Sequence, residues 1–272
     1  MFRQVLTFAL TCATVIAPAY GAPIVFSQAA ANAAGIQSTV DAFRAALGAN
    51  NGTAGTPFLS GRREINWDAV PDNLAAPNNL PANQFAARGV LFGTPGTGFQ
   101  VSADSSNPTS TPILFDNLFA GNSSLFATFS AERLFTSLGS VITDVNFIVP
   151  GSANPASSSA FGVVFTDVDL PNLTSLTFFD QNNVSLGTFF APNVAGNKTF
   201  SFLGVQFNSG ERVSRVRISA GDLPLNSPTC SDCVAMDDFI FAEPQAVPEP
   251  VTMLLVACGV AGLMIGRRSR TN

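Results

Sequence analysis

The feature that most constrains this chain is a series of short apolar segments, rich in Phe and Val, separated from Arg62 onward by clusters of Asn, Pro, Gly and Ser. Side chains of a strand alternate between faces with period two, so a segment of this kind buries one face and solvates the other. Between Val141 and Val149, residues Val141, Val145, Phe147 and Val149 share one face, while Asp144 and Asn146 take the other. Phe161, Val163 and Phe165 alternate likewise, as do Phe200 with Phe202, and Val216 with Ile218 against Arg215, Arg217 and Ser219. Ser175 to Asp180 and Val184 to Phe190 flank Gln181-Asn182-Asn183, a loop of hairpin length whose residues tolerate turn geometry. About ten such segments, spaced by roughly 8 to 12 residues and without a long helical pattern, predict an all-β domain. The expected architecture is an antiparallel β-sandwich of jelly-roll kind over residues 62–246. A membrane barrel would need strands of about ten residues and aromatic girdles, whereas the chain has one Trp and one Tyr. No internal repeat of fixed period argues for a solenoid or propeller.

Residues 22–61 are rich in Ala, Asn, Gly, Ser and Thr. Within them Ser38-Thr39-Val40-Asp41 has the form of a capping box, and Ile36, Val40, Phe43 and Leu47 recur at helical spacing until Gly48. One short helix is predicted there, followed by a flexible linker from Ala49 to Gly55.

Both ends carry export features. Met1-Phe2-Arg3, an apolar run from Val5 to Ile16 and the small residues Ala17 to Ala22 follow the order of a secretory signal peptide over 1–21. Signal peptidase would cut after Gly21 or after Ala19. Residues 247–272 hold Val247-Pro248-Glu249-Pro250, an apolar run from Val251 to Gly266, and Arg267-Arg268-Ser269-Arg270. The run over 251–266 gives about 24 Å of helix against a hydrocarbon core of ~30 Å, so it predicts a single, marginal transmembrane helix. The arginines hold its far end in the cytoplasm, which places the preceding domain outside.

Histidine is absent, which excludes Ser-His-Asp and Cys-His catalysis and histidine-ligated zinc. Without Arg3 and the tail arginines, nine basic residues face eighteen acidic ones, so nucleic acid is not an expected partner. Cys12 lies in the signal and Cys258 in the tail. Cys230 and Cys233, the pair left in the exported domain, read as a disulfide, and two cysteines alone are too few for a zinc site. Asp167 with Asp169, and Asp237 with Asp238, are the carboxylates of most interest. Adjacent acids in a strand point to opposite faces, so one of Asp237 and Asp238 should face inward and need a counter-ion; Arg215 or Arg217 could supply it. Trp67 is the one obvious flat platform for a sugar. Asn-x-Ser/Thr sites occur at Asn51, Asn122, Asn172, Asn183 and Asn197 and are weak hints of glycosylation.

Val-Pro-Glu-Pro, a short apolar helix and a basic terminus resemble the PEP-CTERM sorting signal of bacterial exosortase substrates. The match covers Val247 to Asn272, and a signal peptide at the other end is its companion. The resemblance implies that the tail is held transiently in the inner membrane of a Gram-negative bacterium and cut near Pro248-Glu249-Pro250 by exosortase. The protein would then pass to the cell surface or extracellular matrix, where such substrates are linked with exopolysaccharide and biofilm. Arg62 to Asp68, with Gly89-Val90 and Phe99 to Ala103 after it, resembles an N-terminal segment of uncharacterised extracellular bacterial proteins and assigns no chemistry. The closing strand, Ala235 to Phe241, resembles that of carbohydrate-binding jelly-roll modules, in which an acid at this place often holds a structural Ca²⁺. Calcium on Asp167, Asp169, Asp237 and Asp238 is thus the candidate cofactor. The leading expectation is a non-enzymatic surface or matrix protein. A calcium-stabilised carbohydrate-binding module comes second, and a glycoside hydrolase using paired carboxylates third.

Overall fold

The computed structural model describes residues 21–247. Along the chain, strand β1 (Ile24–Ala30) and helix α1 (Ala33–Leu47) precede β2 (Arg62–Ile65), β3 (Val90–Gly93) and β4 (Gly98–Val101). A one-turn helix α2 (Asn122–Leu125) leads to β5 (Phe135–Leu138), β6 (Ile142–Phe147), β7 (Ala156–Ser157), β8 (Ala160–Thr166) and β9 (Ser175–Phe179). The remaining strands are β10 (Ser185–Phe190), β11 (Phe200–Gln206), β12 (Arg215–Ser219), β13 (Ala235–Ala242) and β14 (Gln245–Ala246).

The larger sheet runs β1-β11-β8-β13-β5-β4, with β2 also paired to β13; the second runs β10-β9-β12-β6-β3, and β14 pairs β7 in a small ribbon. The strand pairs are antiparallel. The two sheets close on one core that takes Phe161, Val163, Phe165, Phe239 and Phe241 from the larger sheet and Phe92, Val145, Phe147, Phe178, Val216 and Ile218 from the smaller. The predicted alternation holds in β6 and β12, whose other faces carry Asp144, Asn146, Arg215 and Arg217 away from that core. The hairpin is also present: β9 pairs β10, and Asp180 Oδ1 accepts the N–H groups of Asn182 and Val184 at 2.8 Å each, which fixes the turn.

The larger sheet is covered on its second face as well. Ile36, Val40, Phe43 and Leu47 of α1 pack on Ala160, Val164, Phe200, Phe202, Ile240 and Ala242, so β8 and β13 are buried along their whole length. Residues 22–61 are therefore part of the sandwich rather than a separate segment, because β1 is an edge strand of the larger sheet and α1 is its lid. Helix α1 also begins earlier than its capping box suggests. Asn32 is the N-cap, its Oδ1 accepting Gly35 N–H at 3.1 Å, and Ser38 and Asp41 lie inside the helix.

Seating α1 depends on two glycines. Gly162 of β8 and Gly204 of β11 are cross-strand partners. A Cβ at Gly162 would stand 2.9 Å from Phe43 Cε1, and one at Gly204 would stand 2.9 Å from Phe43 Cδ2. The bare backbone forms the floor on which that ring lies. Gly162→Ala or Gly204→Ala is accordingly expected to lower stability by about 1–3 kcal/mol through overpacking, and Phe43→Leu in the same chain to recover part of the loss. The readout is the urea midpoint at unchanged m value; single variants as stable as the parent would show that the ring is not held there.

Candidate functional site

The carboxylates singled out in the sequence fall into two places. The first lies in the middle of β13. Met236 stands opposite Phe165 and Phe239 opposite Val163, so two residues, Asp237 and Asp238, occupy the space of one. This bulge sends Met236 and Phe239 into the core between the sheets and turns both acids toward the helix side, so the expected opposite-face arrangement does not hold. Asp237 Oδ2 accepts Phe129 N–H at 2.6 Å, and Ser130 Oγ stands 3.0 Å from Asp237 Oδ1 and 2.8 Å from Asp238 Oδ1. Asp238 Oδ2 accepts from Arg44 at 2.9 Å, and the same guanidinium donates to Glu64 Oε2 at 2.9 and 3.2 Å. Glu64 Oε1 in turn accepts from Arg62 at 2.6 Å. The counter-ion of the pair is thus Arg44 from α1. Arg215 and Arg217 lie on the other sheet and both bind Asp144.

One hydroxyl proton cannot serve two carboxylates, and burial followed by the neighbouring charge of Asp238 pushes Asp237 well above the ordinary carboxylate range. Burial also raises Asp238, against the pull of Ser130 and Arg44. Both acids are sealed from solvent, so this pair ties α1, β2, β13 and the 129–130 loop together and offers no path to a substrate.

The second place is the end of the sandwich where β8 stops and β11 starts. Asp167 follows β8 in a left-handed conformation, φ 70°, with its N–H bonded to Thr199 O at 3.0 Å. Asp169 Oδ1 accepts Gly196 N–H at 2.8 Å. Asp232 Oδ1 accepts Asp169 N–H at 2.7 Å, so the loop before β13 is laced to the loop after β8. Burial, with the charges of Asp169 and Asp232, pushes Asp167 up to about 7, and burial raises Asp232. Cys230 and Cys233 form a disulfide that closes the turn carrying Asp232, and Asp222 accepts the N–H groups of Ser231 and Asp232 at about 3.1 Å. The structure therefore separates Asp167 and Asp169 from Asp237 and Asp238 and gives the former pair Asp232, which sequence reasoning passed over because nothing local links positions 63 residues apart.

Trp67 is no sugar platform. It is 1% exposed, stacked on Phe135 at 4.2 Å and edge-on to Phe85 and Phe239. Its Nε1–H is consumed by the carbonyl of Asp237 at 2.6 Å. Of the glycosylation triplets, Asn122 is buried and donates to Phe115 O and Leu225 O, and Asn51 donates to Glu243; Asn172, Asn183 and Asn197 are exposed.

At the opposite end of the sheet lies an ion pair that the sequence did not reveal. Arg63 of β2 meets Glu243, just past β13, in a two-pronged contact of 2.7 and 2.9 Å, both side chains buried. The guanidinium also donates to Ala54 O and Thr56 O at 2.5 and 2.7 Å, and Glu243 accepts from Asn51 and from Phe58 N–H. The stretch read as a flexible linker is held on this pair. Val247, next along, donates its N–H to Pro155 O at 3.5 Å; Pro248, Glu249 and Pro250, the helix expected over 251–266 and the signal peptide through Tyr20 lie outside the described residues. Among the described residues, no helix is long and apolar enough to cross a membrane.

Compared with protein-family models, curated proteins and solved structures, the chain matches none of them.

Two predictions rest on this geometry. Glu243→Gln leaves Arg63 buried without its charge partner and is expected to cost about 3–5 kcal/mol, measured by denaturant melts; a loss under about 1 kcal/mol would show the pair to be solvated. The second concerns pH. With Asp237 raised, the folded chain keeps a proton that the unfolded chain gives up above about pH 4. Stability therefore falls as pH rises from the unfolded carboxylate range toward the raised value. Asp104, Asp116 and Asp144 act in the opposite sense. Burial pushes each up but is outweighed, by Ser106 and Arg133, by Ser123 and Gly121, and by Arg217 and Arg215 respectively, so their contribution is lost only on further acidification. The melting temperature should fall as pH rises above about 4 into the raised range of Asp237. Asp237→Asn, neutral throughout, should flatten that slope and be the more stable chain at the upper end; parallel slopes would mean that Asp237 is ionised in the fold.

Proposed function

We propose that this is an exported, non-enzymatic β-sandwich that serves the cell surface or extracellular matrix of a Gram-negative bacterium. Exosortase would release it from the inner membrane by cutting near Pro248-Glu249-Pro250, and exopolysaccharide would be its surroundings. The observation that carries the reading is the succession Val-Pro-Glu-Pro, apolar run and arginines in the sequence, which starts from Val247 at the end of the sandwich where β1 begins. Ile24 pairs Gln206 and Gln245 pairs Ser157, and Gln206, Ser159 and Ala246 line one groove of about 450 Å³ together with Leu59. Leu59 is 96% exposed, so this pole combines both ends of the described residues with an apolar side chain, as suits a domain delivered from a bilayer at that side.

A carbohydrate-binding module is the second reading. It is favoured by the winding order, since β5-β13-β8-β11 in one sheet and β6-β12-β9-β10 in the other support reading the sandwich as a jelly roll. The burial of Trp67 weighs against it, and the sealing of Asp237 and Asp238 weighs against a hydrolase built on that pair.

Replacing Pro248, Glu249 and Pro250 with Ala is expected to leave full-length protein in the inner membrane, whereas the parent chain reaches the surface shortened. Intact mass of the surface form decides the matter: a surface form still carrying residues 251–272 would overturn the sorting reading.

A further inference from the structure

At the pole opposite the chain ends, three buried oxygens have no hydrogen-bond partner among the described residues: Asp167 Oδ1, Asp232 Oδ2 and Thr199 Oγ1. Their side chains are 3%, 1% and 4% exposed. They belong to one locality. Asp167 and Thr199 face each other across the ends of β8 and β11, joined by the 3.0 Å backbone bond. Asp232 reaches the same loop through its Oδ1 at Asp169 N–H, and its Oδ2 is left over. Asp167 feels the charges of both Asp169 and Asp232.

Burying carboxylates without a compensating charge costs several kcal/mol per ion. Among the described residues no lysine or arginine pairs with Asp167, Asp169 or Asp232, and Lys198, beside Thr199, is exposed. A water molecule would satisfy the Thr199 hydroxyl but would not neutralise the acids. What remains is a proton or a cation.

We propose that this pole binds calcium, with Asp167, Asp232 and Thr199 as the protein ligands and Asp169 as supporting charge. The donor set is all oxygen, since the two nearby sulfurs are joined to each other, and hard oxygen donors select Ca²⁺ or Mg²⁺ over zinc or copper. Among the described residues no three acidic side chains converge on one metal position as they stand. Two carboxylates and a hydroxyl are therefore the side-chain share, and carbonyl and water oxygens complete a shell of about six to eight ligands, which calcium accepts and octahedral Mg²⁺ does not. The ion would fasten the loop after β8, the start of β11 and the disulfide turn before β13, three adjacent strands of the larger sheet. The site is independent of how the chain is exported.

The test uses the purified exported protein, stripped with EDTA and titrated in parallel with CaCl₂ and MgCl₂ by calorimetry and thermal melting. The expected result is one saturable Ca²⁺ site per chain and a melting temperature raised by roughly 5–10 °C when free Ca²⁺ is about a hundredfold above Kd, with a smaller response to Mg²⁺. Asp167→Asn and Asp232→Asn should each weaken Ca²⁺ binding by about tenfold or more, while Asp144→Asn, on the other sheet, should leave it unchanged. Thr199→Ala removes a ligand without a charge and reports on the site if an aspartate variant fails to fold. Identical melting in EDTA and in millimolar Ca²⁺, without saturable heat, would overturn the proposal and leave a proton as what neutralises Asp167. Binding that survives all three ligand variants but is lost in Asp238→Asn would overturn it equally, by moving the ion to the β13 bulge.

Discussion

Strand β13 is hydrogen-bonded to β8 along one side and to β2 and β5 along the other, and both of its faces are covered, one by the smaller sheet and one by α1. A strand in that position tolerates polar groups only where each is answered. The bulge at Asp237 and Asp238 gathers its polar load at one point, where Ser130, the backbone of Phe129 and Arg44 meet it. The helix is thereby fixed twice, by Phe43 on the glycine floor of β8 and β11 and by Arg44 on the acids of β13. Apolar contact supplies attraction without direction, while the charged contact sets which turn of α1 lies over which residue of the sheet.

Much of this could be read from the sequence, and the reasons for the rest are local. The strands β6, β9, β10 and β12 were legible because half-buried strands carry the period-two signal in their own residues; β8 is buried on both faces, and what showed was its core row of Phe161, Val163 and Phe165. The face of α1 was legible for the same reason at a different period. Strand β1 was not, because Ile24–Ala30 sits at a sheet edge with little burial and so shows no alternation. The bulge was not, because which of two adjacent acids turns is decided by the register with β8. Trp67 misled because a single tryptophan among polar neighbours looks exposed; its place under Phe135 follows from contacts 68 residues away. Asp232, Thr199 and the Arg63–Glu243 pair share that origin, being brought together by topology alone.

Charge is distributed unevenly over the two poles. At the pole of the chain ends, Arg63 answers Glu243 and the network is complete within the chain. At the far pole Asp167, Asp169, Asp222 and Asp232 stand together with no cationic side chain paired to them among the described residues, and backbone N–H groups do most of the holding. One end is thus electrostatically closed, and the other depends on what the surrounding solution provides.

The position of Val247 has a mechanical meaning. Any load applied at Val247 meets first the ribbon of β14 and β7, then Glu243, which Arg63 clamps, and only then β13. A pull along a strand that is bonded on both sides strains many hydrogen bonds at once, whereas a pull across an edge opens them singly. Behind the β14 ribbon a load thus meets a strand that resists in shear, and the edge strand β1, the easiest to peel, lies outside its path.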